Sequence, residues 1–209
     1  MLKKDYDELN ALELDTLKEV GSIGTGNAAT SLSALIGQTV RIKTPEVRIM
    51  GYNEAIDWIG GPEEITAGVL VKLGSQINGI MLSVQQLEFT NLILKHMLGT
   101  TVSSYEELGD LEKSALIEVG NIMISTFINA LSGLADVEVD LTVPAFTVDM
   151  QGAIIAVPMA EYGGQSDYIM TIGGDFVCQD KMVPCRLLLS PDIRSLNTLL
   201  RKLGVSSGR

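Results

Sequence analysis

Apolar residues recur at helical spacing from Glu13 to Leu35 (Leu14, Leu17, Val20, Ile23, then Leu32 and Leu35), which predicts a long amphipathic helix stopped at Gly37. Thr39 to Met50 alternates apolar and polar residues instead (Val40, Ile42, then Val47 and Ile49) and reads as a half-buried strand interrupted at Pro45. Ile65–Leu73 and Ile77–Val84 are strand-like and are separated by the turn residues Gly74-Ser75. Gln85–Leu98 returns to helical spacing and ends at Gly99. The same order then repeats. Leu111–Leu134 predicts a helix and Val137–Met150 a strand containing Pro144. Asp167–Cys178 and Met182–Ser190 predict two more strands, and Asp192–Leu203 a closing helix with Asp192 at its start and Gly204 as its stop. Gly152–Gly164 matches no segment of the first half and receives no assignment; the polar stretch Gly99–Gly109 joins the halves.

The recurrence is a duplication. Ser114-Ala-Leu-Ile-Glu118-Val-Gly-Asn121 has a degraded copy 99 positions earlier, Asp15-Thr-Leu-Lys-Glu19-Val-Gly-Ser22. Each copy is followed 23 residues later by a proline, Pro144 and Pro45, and nine of the 27 aligned positions between Glu19 and Pro45 are identical to their counterparts. Such a repeat dictates architecture. It predicts one domain over residues 1–209, made of two similar halves (about 1–100 and 108–205) that share a core. Strands grouped between helices, without a strand–helix–strand rhythm, indicate an α+β class. The expected arrangement is one mixed or antiparallel sheet with a pseudo-twofold axis and the two repeated helices side by side on one face.

With 46% apolar and 20% charged residues, the chain has ample material for a core. A net charge of −11 argues against binding a phosphate backbone, so nucleic acid is not an expected partner. No run approaches the ~18 apolar residues that span a bilayer, and the N-terminus does not resemble a signal peptide. A cytoplasmic location without membrane contact is expected. Cys178 and Cys185 fall in adjacent predicted strands, where a disulfide is geometrically conceivable; reduced thiols are the preferred expectation. His96 is the only histidine and no ligand cluster accompanies either cysteine, so no metal site is expected.

On a helix, positions 114, 118, 121 and 125 lie within a sector of about 60°. Ser114, Glu118, Asn121 and Ser125 therefore form a polar stripe, while Leu116, Val119 and Met123, flanked by Ile122, should face the sheet. A solvated helix face is the ordinary explanation of such a stripe. Its mixture of amide and hydroxyl groups, its recurrence in both halves and its proline at a fixed offset point instead to chemistry. Gly120 and Gly21 interrupt both helices at a cost of roughly 1 kcal/mol against alanine, which implies that another backbone approaches there.

Asp/Ser-x-x-x-Glu-x-x-Asn followed 23 residues on by proline resembles the signature of the CheC/CheX/FliY family of bacterial chemotaxis phosphatases. The resemblance covers nearly the whole chain, through Glu118-Val-Gly-Asn-Ile122, Gly26-Asn-Ala-Ala-Thr30 and Pro144-x-x-x-Val148-Asp149-Met150, and is greatest to its two-copy CheC branch. It implies hydrolysis of the phospho-aspartate on the response regulator CheY. Asn121 would orient the attacking water and Glu118 would dock against a lysine of the regulator, whose own Mg²⁺ is the only metal required. Asp15, Ser114, Pro45 and Pro144 complete the motif. In the first copy Ser22 replaces the asparagine, and Asn27 lies about 140° around the helix. Glu19 and Ser22 are therefore expected to form a weak or inactive site.

The resemblance leaves two alternatives. One is a non-catalytic adaptor for the receptor deamidase CheD, with Asp149 as a plausible contact or, equally, an ordinary strand-end carboxylate. The other is a flagellar switch component, which would carry a further C-terminal domain. A monomer is expected, because the internal twofold already does the work of a dimer.

Overall fold

The computed structural model describes residues 3, 5–162, 167–179 and 181–205; the side chains of residues 44, 45, 162, 175 and 185 lie outside that description. Helix α1 (Ala11–Ile36) begins where Asn10 closes a capping box, its side chain accepting from the Glu13 N–H at 3.0 Å while the Glu13 carboxylate accepts from the Asn10 N–H at 2.8 Å. It ends at Gly37, whose φ of 63° is a conformation that glycine adopts without strain. Strand β1 (Val40–Gly51), helix α2 (Tyr52–Ile59), strands β2 (Ile65–Ser75) and β3 (Gly79–Gln85) and helix α3 (Leu87–Met97) follow. The second half supplies α4 (Asp110–Ala135), β4 (Val139–Leu141), β5 (Ala145–Met150), α5 (Gln151–Tyr162), β6 (Tyr168–Cys178), β7 (Lys181–Pro191) and α6 (Ile193–Lys202).

The strands form one antiparallel sheet in the order β1-β6-β7-β3-β2-β4, with β5 paired to β2 beside β4. Taken together, β4 and β5 are the counterpart of β1, and the order then reads the same from either end. Each half lends its leading strand to the hairpin of the other, and β3 meets β7 at the centre. This is the pseudo-twofold arrangement that the repeat implies. Alternation along the central strands divides the core between two faces. Met81, Leu187 and Leu189 point to the face covered by α1, α3 and α4, whereas Leu82, Val84 and Leu188 point to the face covered by α2 and α5.

Those two covering helices form in stretches, 51–64 and 152–164, where the hydrophobic pattern predicts no element. They are counterparts, starting at Tyr52 and Gln151, 99 residues apart. An eight-residue helix is too short to show a period, and α5 carries Pro158 in a nearly all-apolar stretch, which hides one. Residues 163 and 164 lie outside the described residues. The strand expected over Val137–Met150 is broken into β4 and β5 just before and after Pro144, although both pair with β2. In the first half β1 stays continuous and absorbs Pro45 in a register shift between Lys43 and Glu46. The joining stretch is also more ordered than its polarity suggests. Its one-turn helix Tyr105–Glu107 repeats Tyr6–Glu8, and each tyrosine hydroxyl donates to a carbonyl at the end of a central strand, Tyr6 to Pro191 (2.9 Å) and Tyr105 to Gln85 (2.7 Å).

Helix α4 is long and apolar enough by composition to cross a membrane, contrary to the expectation that no segment is; its Leu116, Val119, Met123, Ile124 and Phe127 are instead buried in the core. Cys178 is a buried free thiol, and burial raises its pKa. The backbone register places Cys178 opposite Lys181 and Cys185 opposite Gly174, four residues further along the ladder. That offset, about 13 Å, is beyond disulfide reach.

The long helices α1 and α4 run antiparallel and in close contact. A Cβ on Gly24 would lie 2.5 Å from the Phe127 ring, and the Thr126 hydroxyl meets Ser31 at 3.1 Å. Positions 28 and 123, the repeat equivalents of 127 and 24, hold buried Ala28 and Met123. The small residues are thus both on α1 and the large ones both on α4. Gly120 receives a side chain of β2 rather than the backbone expected: its added Cβ would lie 2.6 Å from Val69 Cβ. Gly21 similarly receives Val47.

Gly24→Ala and Gly120→Ala should each destabilise the fold by about 1–3 kcal/mol through overpacking. Gly26→Ala, where nothing lies within 4 Å, should stabilise it by up to about 1 kcal/mol. Urea unfolding of the three variants checks this ordering. A second expectation concerns alkali. Burial raises the pKa of Tyr6 and Tyr105. Above about pH 10 the unfolded chain loses these protons and the folded chain keeps them. Stability should therefore fall as pH rises beyond that point, and a urea series on Tyr6→Phe/Tyr105→Phe should show a shallower fall.

Candidate functional site

Helix α4 turns one side to the sheet and the other to solvent. Leu116, Val119 and Met123 are fully buried, as the spacing predicts, Glu118 is exposed, and Asn121 and Ile122 are half-buried. Glu118 and Asn121 are three residues apart, so their side chains leave neighbouring points of one face, about 5–6 Å apart at Cβ. The stripe is chemically narrower than the sequence suggests. Ser114 donates its hydroxyl to the Asp110 carbonyl at 2.7 Å, and Ser125 donates to the Asn121 carbonyl at 2.7 Å, so both are bound to their own helix. Among the described residues the Asn121 carboxamide and the Glu118 carboxylate have no hydrogen-bond or ion-pair partner. An exposed carboxylate beside a free amide, which offers both a donor and an acceptor, is equipped to hold a cation of a partner and orient one water.

Gly120 fixes the depth of this face. By taking Val69 into the space of its missing side chain, it seats the helix low on the sheet, with the adjacent Asn121 and Glu118 at the rim. Val69 is paired in register with Phe146, two residues after Pro144. In the first half the same relation is direct, since Val47, two residues after Pro45, fills the space over Gly21. Each proline thus lies two residues before a strand position that is in register with, or itself fills, the space over the motif glycine.

The first copy keeps the carboxylate and lacks the amide. Glu19 and Asp15 are exposed, Ser22 is half-buried, and Asp15 makes an exposed ion pair with Lys18 at 3.6 Å. Glu19 lines a shallow groove of about 370 Å³ with Asp15, Ile23, Leu134 and Leu203. Because Glu19 lies beside Leu134, and Glu118 is 16 residues before Leu134 on the antiparallel partner, the two carboxylates are about 24 Å apart along the helix pair.

Asp149 is not brought to either site. It is exposed near the end of β5, accepts from the Met150 N–H at 2.7 Å, and lines an open groove of about 860 Å³ with Glu63, Glu64, Glu106 and Lys113. Among the described residues no cluster of three histidine, cysteine or carboxylate side chains is placed to hold a metal ion. The sequence reading missed the exposed apolar residues around the motif: Leu12 and Leu111, 62% and 64% exposed, Ile23 at 37% and Leu134 at 45%. The signal was available. Tyr6, Glu8, Leu9, Leu12 and Glu13 recur as Tyr105, Glu107, Leu108, Leu111 and Glu112, so the repeat begins ahead of Asp15.

Comparison with known proteins matches two segments, 12–49 and 111–148, to the CheC-like family; the segments are 99 residues apart and contain the Glu19 and Glu118 motifs. The CheY-P phosphatase CheC of Bacillus subtilis is 24% identical over 205 residues, covering 96% of this chain and 98% of the relative. Among solved structures, FliY of Thermotoga maritima superposes with a TM-score of 0.72 at 19% identity, covering 94% of this chain and 98% of that one. CheX in the CheX–CheY–BeF3–Mg complex of Borrelia burgdorferi gives 0.53 at 15% identity, covering 86% and 99%. Both motif-bearing helices thus fall within segments that match the CheC-like family, and the chain shares its fold with FliY of Thermotoga maritima.

Proposed function

We propose that this protein is a phosphatase for the phospho-aspartate of the chemotaxis response regulator CheY, and that α4 carries its working site. The observation that supports this most is the unpartnered Asn121 carboxamide beside exposed Glu118, on the solvent side of a helix whose other side is anchored in the core by Leu116 and Val119 and inside a family-matched segment. Relatives named as CheY-P phosphatases and a CheX–CheY complex in the same fold are consistent with it.

An acyl phosphate is already activated, so hydrolysis needs positioning more than covalent help. Glu118 docks against a cation of the regulator and brings α4 over the phosphoryl group. The Asn121 carboxamide holds a water in line with the bond to be broken. The water oxygen bonds to phosphorus as the phosphorus–aspartyl oxygen bond breaks, the regulator's aspartate leaves as carboxylate, and the water's protons pass to phosphate and solvent. Mg²⁺ belongs to the regulator, where it offsets charge on the phosphoryl oxygens and the leaving carboxylate. At the first site the Ser22 hydroxyl is one bond too short to hold that water, so this site is weak or inactive. We read residues 1–209 as one domain of two repeats, because each half completes its sheet only with the leading strand of the other; a cytoplasmic monomer is the form in which it would meet the regulator.

A second partner reading rests on a separate observation. Asp149 stands on the open edge strand β5, followed by exposed Met150, Val157 and Met159 (47%, 44% and 48%) running onto α5. One carboxylate beside an exposed apolar strip supports reading this edge as a face for the deamidase CheD.

The decay of phosphorylated CheY tests the main reading. Asn121→Ala should lower the acceleration on the order of 100-fold while changing stability by less than about 0.5 kcal/mol, since the amide has no internal partner to lose. Ser22→Asn should raise it. A fully active Asn121→Ala protein would refute the assignment. For CheD, Asp149→Lys combined with Met159→Asp should weaken binding at least about 10-fold by calorimetry; an unchanged affinity would remove that face from consideration.

A further inference from the structure

We propose that the Glu19 face of α1 is a second seat for the same phosphorylated response regulator, one that binds it without hydrolysing it. This rests on the phosphatase reading of Glu118 and Asn121.

Docking and hydrolysis are separable functions of the motif, and the first half has lost only one of them. Glu19 is exposed and, among the described residues, has no ion-pair partner, so its carboxylate is available to the cation that Glu118 is proposed to meet. Part of the apolar rim is duplicated: Leu12 and Leu111, equivalent positions one turn before each motif, are 62% and 64% exposed. Ile23 and Leu134 beside Glu19 are exposed as well, whereas their equivalents Ile122 and Leu35 are half-buried. Exposed apolar side chains at repeat-equivalent positions indicate a surface that is covered by a partner. A groove of about 370 Å³ beside Glu19, lined also by Ile23, Leu134 and Leu203, leaves room for a side chain of a partner. The change that bears on hydrolysis is Ser22, which stands where Asn121 does. Lys18, which stands where Ile117 does, is paired with Asp15 at 3.6 Å rather than with Glu19.

The consequence is kinetic. A regulator that meets the protein divides between a productive and an unproductive seat. With equal affinities half of the bound regulator sits at the Glu19 face at any moment, so the maximal single-turnover rate constant is half of that at the α4 site alone. The first seat then shelters phosphorylated regulator from the second.

The test is a single-turnover decay with wild-type protein in saturating excess over phosphorylated CheY. Blocking the first seat with Glu19→Lys should raise the plateau rate constant about twofold, and Ser22→Asn should raise it similarly by making that seat productive. Beryllofluoride-activated CheY with Mg²⁺ is the binding probe. Its association constant should halve in either Glu19→Lys or Glu118→Lys and fall at least about 10-fold in the double variant. A plateau unchanged by Glu19→Lys while Asn121→Ala abolishes decay would overturn this inference and leave the phosphatase reading standing. Activity indifferent to Asn121→Ala would remove both.

Discussion

The close antiparallel contact of α1 with α4 is the constraint on which the rest of the structure depends. Both helices must lie on one face of a single sheet, each presenting its motif to solvent, and the space between them is set by Gly24 against Phe127. Placing both small residues on α1 and both large ones on α4 lets the pair interlock while the backbone keeps its pseudo-twofold relation. Thr126 and Ser31 add a hydrogen bond across the same seam. Beneath the pair, Gly21 and Gly120 admit Val47 and Val69, so each helix is held both sideways and downward. Tyr6 and Tyr105 pin the start of each long helix to the far end of a central strand.

Exchange of the leading strands explains why the repeat cannot be cut in two. Strand β1 completes the second-half hairpin and β4 with β5 completes the first, leaving β3 and β7 buried at the centre. The helices α2 and α5 cover the opposite face with a smaller core that includes Tyr52, Ile59, Ile154 and Ile155. The motif face thus stands on a sheet packed on both sides.

Much of this was legible in the sequence because the decisive features are periodic or local. The 3.6-residue spacing marked both long helices, Gly37 and Gly204 marked stops, and the 99-residue offset announced the twofold. The elements that escaped are those whose stability comes from elsewhere. Helix α2 is held by burial of Tyr52, Ala55 and Ile59, and α5 accommodates Pro158 because tertiary packing outweighs propensity. The site was partly legible in the same way. Helical spacing put Glu118 and Asn121 on one face, but not the fact that Ser114 and Ser125 are bound to their own helix. Nor could it show that Val69, a residue of the other half, occupies the space at Gly120. Those depend on three-dimensional neighbours that spacing does not encode.

If the Asn121 carboxamide meets the regulator's phosphoryl site, its side-chain amide resonance will report the contact. On titration of isotope-labelled protein with beryllofluoride-activated CheY and Mg²⁺, the Asn121 side-chain signal should shift strongly and become protected from solvent exchange. The Asn27 side chain, which lies on α1 outside either motif face, should stay in place. Binding that leaves the Asn121 signal unmoved would contradict the account, whatever the affinity.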